Sequence, residues 1–297
     1  SLTLKFFGAE ILGISTKMKN TLYLSNTSQF KKNIKTLNCD LINLNKVKVN
    51  IINFKPDIAI HLASQPIVKI GFLNPYKTYE TNIIGTIKIL EILREVPSLK
   101  KILIFTSDKV YRNVKKKTLN ENSAMGGEQD PYSASKSSQD IISQSYSYSF
   151  FKKTKMIIIR SGNIIGGGDW AKDRLIPDIV RSYLNNKLLK VRSMNSTRPW
   201  LHIFDVINAI LILFLKNDTK KKNIFIFNLS PKKKNQINVK QIIKLIEKNT
   251  IIKKIKLKKI INKVKEKKYL HISSTKANKI LNWQPKLNVK NSLKQTI

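Results

Sequence analysis

Cysteine occurs once, at Cys39, in a chain of 297 residues. That excludes a disulfide framework and any cluster of thiolate metal ligands. Histidine is limited to His61, His202 and His271, and the last two lack a partner at ligand spacing, so no metal site is expected. Long apolar runs are missing as well. The longest, Ile207 to Leu215, is interrupted by Asn208 and is far too short to span a bilayer. No charged, apolar and small-residue leader opens the chain, so the cytosol is the expected compartment and no membrane partner is expected. A glycine-rich phosphate turn is also missing: neither GxGxxG nor GxxGxxG occurs. Gly166-Gly167-Gly168 does not replace it, because it follows a late strand pattern and leads into Asp169-Trp170.

Negative charge is scarce, with 18 acidic residues against 56 basic ones and a net charge of +38. Arginine is scarce too: there are seven, against 49 lysines. Nucleic-acid surfaces use arginine for bidentate and stacking contacts as well as lysine for point charge. Here lysine rises together with 44 isoleucines and 29 asparagines, a composition that points to genome drift. The lysines are spread along the chain, with short runs at Lys115–Lys117, Lys220–Lys222 and Lys232–Lys234. A solvated surface is the reading, and no specific nucleic-acid partner is expected. A field of this sign still attracts anions, nucleotide-linked substrates among them, and favours salt-sensitive binding to polyanions. The 41% hydrophobic and 25% charged content suits a soluble globular chain of one large or two moderate domains.

Apolar runs alternate with amphipathic stretches at the rhythm of a parallel sheet. After the tail of a helix at Leu2–Phe7, strands are expected at Ala9–Ser15, Thr36–Leu41, Ile58–Leu62, Lys101–Thr106, Met156–Arg160 and Phe225–Leu229. Helices are expected at Thr78–Val96, with an apolar stripe at Ile83, Ile84, Ile87, Leu90 and Leu93, and at Ser133–Phe150. The alternating isoleucines within Ile251–Lys268 fit an exposed strand or helix edge. The fold class expected is α/β, a Rossmann-like doubly wound parallel sheet with a smaller C-terminal substrate domain. Residues 1–168 form the cofactor domain, 201–230 return to it, and 169–297 are mainly the substrate region. Such a fold opens with a strand and a Gly-rich turn, yet this chain begins inside a helix pattern. Roughly 15–20 residues are therefore expected to be missing at the front. The last helix pattern is also expected to be cut, and the chain as given to bind a dinucleotide poorly.

Three features fall at expected strand ends: Thr106-Ser107-Asp108-Lys109, Tyr132-Ser133-Ala134-Ser135-Lys136 and Arg160-Ser161-Gly162-Asn163. The YxxxK pair on a helix puts phenol and ammonium on one face, one turn apart. A nearby positive charge favours phenolate, so Tyr132 can serve as a base well below its usual range near 10. The Ser107 hydroxyl can bond the same substrate oxygen. That equipment takes a proton from an alcohol while hydride leaves its carbon. Each piece alone has an ordinary reading: a solvated helix start for YxxxK, a cap or turn for Ser-Asp-Lys. Their order and strand-end placement together are what carry the chemistry.

With these residues in place, the chain resembles the extended short-chain dehydrogenase/reductase superfamily, and within it the CDP-glucose 4,6-dehydratases. The matching stretches are His61–Val68, Asn74–Thr86, Thr106–Tyr111, Met125–Lys136, Arg160–Asp178 and Arg198–Asp205, with Leu281–Lys286 beyond them. The resemblance implies NAD as cofactor, a nucleotide-sugar substrate (CDP-glucose) and a homodimer paired through the Thr78–Val96 and Ser133–Phe150 helices. It implies an internal redox dehydration in which Tyr132 deprotonates the sugar 4-hydroxyl, hydride leaves C4, water leaves across C5 and C6, and hydride returns to C6. Ser107, Asp108, Lys109, Tyr132 and Lys136 are the catalytic set. Asp108 protonates the leaving 6-hydroxyl, and Lys109 acts at C5 or orients a water; the dTDP-glucose branch has Asp-Glu in that place. The cofactor residues implied are Asp40, Leu41, His61, Leu62, Ala63, Asn82, Tyr132 and Lys136. Asn163, Arg174 and Arg198 hold the diphosphate and cytidine, since guanidinium suits phosphate oxygens. The departure is Ser15-Thr16-Lys17, which offers no acid to a ribose 2′-hydroxyl, so NAD over NADP rests on the resemblance.

Several of these residues also have structural readings: Asp40 as a turn residue, His61 as a packed strand-end histidine, Arg198 as a surface stack beside Pro199-Trp200. The rival functions are another nucleotide-sugar dehydratase or a 4-epimerase using the same Tyr132–Lys136 pair, and a basic nucleic-acid-binding protein on a relict scaffold. An epimerase has no use for the Asp108-Lys109 acid and base, so their presence favours dehydration.

Overall fold

The computed structural model describes residues 1–16, 32–112, 118–216, 223–260 and 269–297. Lys17, the runs Lys115–Lys117 and Lys220–Lys222, and residues 261–268 of the lysine-rich stretch lie outside the described residues. The chain divides into two compact units. One holds Ser1–Thr106, Gly126–Ile159 and Thr219–Ile226; the other holds Ser107–Met125, Arg160–Asp218 and Phe227–Ile297.

The first unit is built on parallel strands. β1 (Leu12–Ser15) pairs with β2 (Lys35–Asn38), Gly13 opposite Thr36. β3 (Ile58–His61), β4 (Lys101–Phe105), β5 (Lys155–Ser161) and β9 (Ile224–Leu229) follow one another across a four-stranded sheet. β3, β4 and β5 run parallel, with Ile102 between Ala59 and Met156. In β4 successive residues Ile102, Leu103 and Ile104 are all fully buried. A strand covered on both faces reads as a continuous apolar run, which is why KILIF lacks alternation. Ile102 and Ile104 share a core with Leu90 and Leu93 of the preceding helix and with Met156 and Ile158 of β5. This is the α/β sheet that the strand rhythm predicts. The strand expected at Ala9–Ser15 is shorter, and half-buried where a buried strand is expected.

The single helix expected over Thr78–Val96 is three pieces: Pro75–Tyr79, a π-helical turn at Glu80–Ile84, and Gly85–Arg94. It starts earlier because Asn74 caps it, accepting from Lys77 N at 3.0 Å, and Pro75 follows at N1. The π turn adds a residue to the spiral and turns Asn82 inward to complete burial. At Gly85 a Cβ would sit 2.9 Å from Leu41 Cβ, so only glycine lets that helix lie on the Leu41–Val47 3-10 helix. The helix expected from Ser133 begins at Pro131 and ends at Ser149. Asp130 caps it through Ser133 N at 2.8 Å and Ser133 Oγ at 2.6 Å.

The second unit holds strands and helices whose patterns are too short to stand out in the sequence. β8 (Thr197–His202) lies between β6 (Asn163–Ile165), to which it is parallel, and β10 (Gln236–Asn238), to which it is antiparallel. β7 (Leu189–Val191) pairs in parallel with β11 (Leu257–Lys259), an exposed piece of the lysine-rich stretch in which Lys258 faces Lys190. Ile176 and Ile179 of the Leu175–Leu184 helix, Ile242, Ile243 and Ile246 of Val239–Asn249, and Leu293 of Val289–Thr296 close over Trp200.

Asp205, buried in the first turn of the Ile203–Leu215 helix, ties two stretches far apart in the chain. Its carboxylate accepts from Lys286 N at 2.7 Å and Leu287 N at 3.4 Å, while Trp283 Nε1 donates to its carbonyl at 3.0 Å. Asp205→Ala leaves those part-buried amides without their carboxylate and is expected to cost about 1–3 kcal/mol. The measurement is a lower urea midpoint at unchanged m-value. Lys286→Ala keeps its amide and is expected to stay within about 0.5 kcal/mol of wild type.

Candidate active site

In the first unit, Tyr132 and Lys136 occupy the opening turns of the Pro131–Ser149 helix, both buried. The Lys136 ammonium, 3% exposed, donates to Gln139 Oε1 at 2.9 Å and to Phe105 O, the last residue of β4, at 3.2 Å. Both acceptors are neutral oxygens. Burial therefore pushes Lys136 down from its ordinary range to about 7. Gly71 leaves room beside Tyr132: a Cβ there would lie 3.2 Å from Tyr132 N and 3.4 Å from Tyr132 Cβ.

His61 closes β3 and is buried, its Nε2 at 2.9 Å from Thr86 Oγ1. Burial, with the Lys136 charge adding to it, pushes the imidazole down to about 3, so it is neutral at any working pH. Leu62 and Ala63 follow it into an exposed loop. Asn82 anchors that loop: it accepts from Gln65 N at 2.7 Å and donates to Gln65 O at 3.1 Å and to Ser135 Oγ at 2.9 Å. Asp40 caps the Leu41–Val47 helix through Ile42 N at 3.0 Å, with Lys77 Nζ at 3.9 Å from its other oxygen. Leu41 is the residue that packs under Gly85.

In the second unit the stretches around Ser107, Gly162 and Arg198 converge. Ser107 has extended backbone and caps the short 3-10 turn Asp108–Val110. Its hydroxyl accepts from Lys109 N at 3.2 Å and donates to Asp108 Oδ1 at 3.1 Å. A Cβ on Gly162 would fall 2.7 Å from Asp108 Oδ2 and 2.2 Å from Pro199 Cγ. Gly162 is thus required for Asp108 and Pro199 to approach each other. Under the turn lies buried Arg160, donating to Tyr111 Oη at 3.1 Å, and Tyr111 donates to Asn228 Oδ1 at 2.6 Å. Asn163 opens β6 opposite Trp200, and Arg198 on β8 is buried, donating to Thr197 O at 2.9 Å. Arg174 precedes the Leu175–Leu184 helix and pairs with Asp169 at 2.9 Å.

The family model for GDP-mannose 4,6 dehydratase matches residues 8–296. The chain belongs to the GDP-mannose 4,6 dehydratase family. Among its relatives, the CDP-glucose 4,6-dehydratase of Salmonella typhimurium is 32% identical over 263 residues, covering 86% of this chain and 73% of that protein. The human dTDP-D-glucose 4,6-dehydratase is 25% identical, covering 96% of this chain and 79% of its own length. Among solved structures, the UDP-glucose 4-epimerase of Bifidobacterium longum in complex with NAD+ and UDP superposes with a TM-score of 0.87 at 19% identity, over 99% of this chain and 91% of that one. The fold is therefore the Rossmann-like one expected, and the resemblance seen in the motifs is a family membership.

Sequence reading of this family member gave no role to Gln139, Thr86 or Gln65, and named Arg160 only within the Arg160-Ser161-Gly162-Asn163 stretch. Gln139 had a signal in its spacing, one turn beyond Lys136 on the same face. Thr86 and Gln65 stand inside matching stretches, but only the tertiary contacts give them partners.

Both lowered groups make the fold sensitive to acid. The unfolded chain binds a proton at Lys136 up to about 10.4, whereas the folded one releases it above about 7. Stability therefore rises with pH through that window, and His61 adds a second rise between about 3 and its ordinary value of 6.5. The midpoint of thermal unfolding is expected to climb from pH 7 to 10, with a climb on the order of 5 °C smaller in Lys136→Met. An equal climb in both proteins contradicts the burial of this ammonium.

Proposed function

We propose that this chain is a cytosolic, NAD-dependent 4,6-dehydratase that converts CDP-glucose to CDP-4-keto-6-deoxyglucose. The observation that carries the chemistry is the opening of the Pro131–Ser149 helix, where Tyr132 precedes an ammonium buried among neutral oxygens by one turn. The similarity to the Salmonella typhimurium CDP-glucose enzyme supports the substrate.

The side chains present suit the ribose and nicotinamide end of a dinucleotide. Two of the three protons of Lys136 go to Gln139 and Phe105, which leaves one for a neutral oxygen such as a ribose hydroxyl. His61, neutral and buried, adds a polar edge without charge, and Leu62 and Ala63 present backbone from an exposed loop. NAD, when bound, supplies an acceptor for the hydride of C4 and the store from which C6 is later reduced.

Tyr132, one turn from Lys136 on the same helix, takes the proton of the sugar 4-hydroxyl. The Ser107 hydroxyl bonds the same oxygen and steadies the carbonyl that forms at C4. That carbonyl acidifies the C5 proton, which Lys109 removes directly or through a water. Asp108 gives its proton to the 6-hydroxyl, and water departs. C5 regains a proton as C6 is reduced, so the net change is loss of one water. Arg174 and Arg198 offer planar donors to the diphosphate and Asn163 an amide to the nucleotide.

The same reading makes the protein a homodimer. Tyr79 and Ile84 beside the Gly85–Arg94 helix, and Ile141 and Tyr148 on Pro131–Ser149, are large apolar side chains exposed at 37% to 64%. A dimer mass in solution is expected of the full-length protein, and a monomer mass counts against it.

Incubation of the full-length protein with CDP-, dTDP- and UDP-glucose, followed by detection of the 4-keto product, tests the reaction. Product is expected from CDP-glucose at a kcat/KM at least about tenfold above the other two. Tyr132→Phe is expected to lose about 10²–10⁴-fold in kcat. Faster turnover of another sugar nucleotide refutes the substrate, and full activity of Tyr132→Phe refutes the base.

A further inference from the structure

A chain of hydrogen bonds leads away from Lys136 through residues to which no role has yet been given. Gln139 Oε1 accepts from Lys136 Nζ at 2.9 Å, and Gln139 Nε2 donates to Thr86 Oγ1 at 3.0 Å. The Thr86 hydroxyl donates to Asn82 O at 2.8 Å and lies 2.9 Å from His61 Nε2. All four side chains are buried, Gln139 and Thr86 completely, Lys136 and His61 to 3% and 5% exposure. They come from three elements: the Pro131–Ser149 helix, the Gly85–Arg94 helix and the end of β3.

The chain has only one polarity. An ammonium donates and cannot accept, so the Gln139 amide must turn its oxygen to Lys136 and its nitrogen to Thr86. Thr86 has a single hydroxyl proton, and that proton goes to Asn82 O. Its oxygen therefore accepts from Gln139 and must accept from His61 as well. His61 is left with its proton on Nε2 and a bare Nδ1. We propose that Gln139 and Thr86 are positioning residues of the dehydratase: Gln139 holds the Lys136 ammonium in place, and Thr86 passes the polarity on and locks the His61 ring as its Nε2–H tautomer.

A merely structural role fits poorly. A fully buried amide between a helix and a sheet stabilises less than an apolar side chain of the same volume, unless its orientation matters. Ser143 Oγ donates to the main-chain carbonyl of Gln139 at 2.7 Å, so the side-chain amide is oriented by Lys136 and Thr86. The motif that serves the reaction thus extends from Tyr132 and Lys136 by one further turn, to Gln139, and across to Thr86. The proposal rests on the role given to Lys136 above, and its test separates the two.

Protein labelled with 15N-histidine carries three labelled rings, and His61 is assigned by its loss in His61→Asn. The wild type is expected to show His61 neutral from pH 5 to 8, with Nε2 protonated and Nδ1 bare. Thr86→Val is expected to give a mixture of tautomers. A wild-type ring protonated on Nδ1 overturns the proposal without reference to any variant or to activity. In turnover of CDP-glucose, Gln139→Leu is expected to lose about 10–100-fold in kcat with KM within about twofold. Gln139→Glu, which keeps an acceptor for the ammonium, is expected to recover at least about fivefold of that loss. Wild-type kcat in Gln139→Leu beside an inactive Lys136→Met overturns the positioning role while sparing the role of Lys136. Wild-type kcat in Lys136→Met sinks the role of Lys136 itself, and the histidine spectrum then decides the polarity alone.

Discussion

Removing an ammonium from water costs several kcal/mol, and Lys136 recovers that only from dipoles fixed around it. The carbonyl of Phe105 is one, and it is where it is because β4 is a fully buried central strand whose register with β3 and β5 is set residue by residue. The Gln139 amide is the other, held by the same helix that carries Lys136. The polar interior beyond follows from this requirement. Thr86, His61 and Asn82 satisfy one another because a buried donor or acceptor left alone costs about 1–3 kcal/mol. Accordingly, beside Tyr132 and Lys136 the inward face of the Pro131–Ser149 helix carries serines, Gln139 and Asp140 where a core helix would ordinarily carry leucine.

Charge of the same sign is treated differently elsewhere in the chain. Surface lysines face each other in register at Lys190 and Lys258, where water screens them. Arg160, in contrast, is buried against the Tyr111 ring at 5.0 Å, a delocalised cation that tolerates stacking and weak hydration. Among the described residues, Lys136, Arg160 and Arg198 are the cations set in the interior.

Much of the fold was legible because parallel strands buried on both faces leave plain marks: KILIF, MIIIR and IFIFNL are continuous apolar runs. The helix over Thr78–Val96 was legible in its stripe but not in its π turn, since one inserted residue barely disturbs hydrophobic spacing over so few turns. The second unit was mostly illegible. Its strands β6, β7, β10 and β11 are three residues each, too short for a period to show, and the first three pack with Trp200 against apolar side chains of three helices. In the candidate site, Tyr132, Lys136 and the Ser107-Asp108-Lys109 turn stood out through residue type and spacing. Gln139 and Thr86 did not, because a buried glutamine or threonine looks in sequence like any surface one.

By itself the sequence determined the class of the fold and the family and singled out the candidate groups, since apolar rhythm and short motifs are local and survive in one dimension. Tertiary structure decided what those groups are. Whether the Lys136 ammonium titrates near 7 or near 10, which nitrogen of His61 holds a proton and how near Asp108 comes to Pro199 all depend on distances between residues 25 to 91 positions apart. Electrostatic and hydrogen-bond energies change within an ångström or two, and only the packed chain fixes separations that finely.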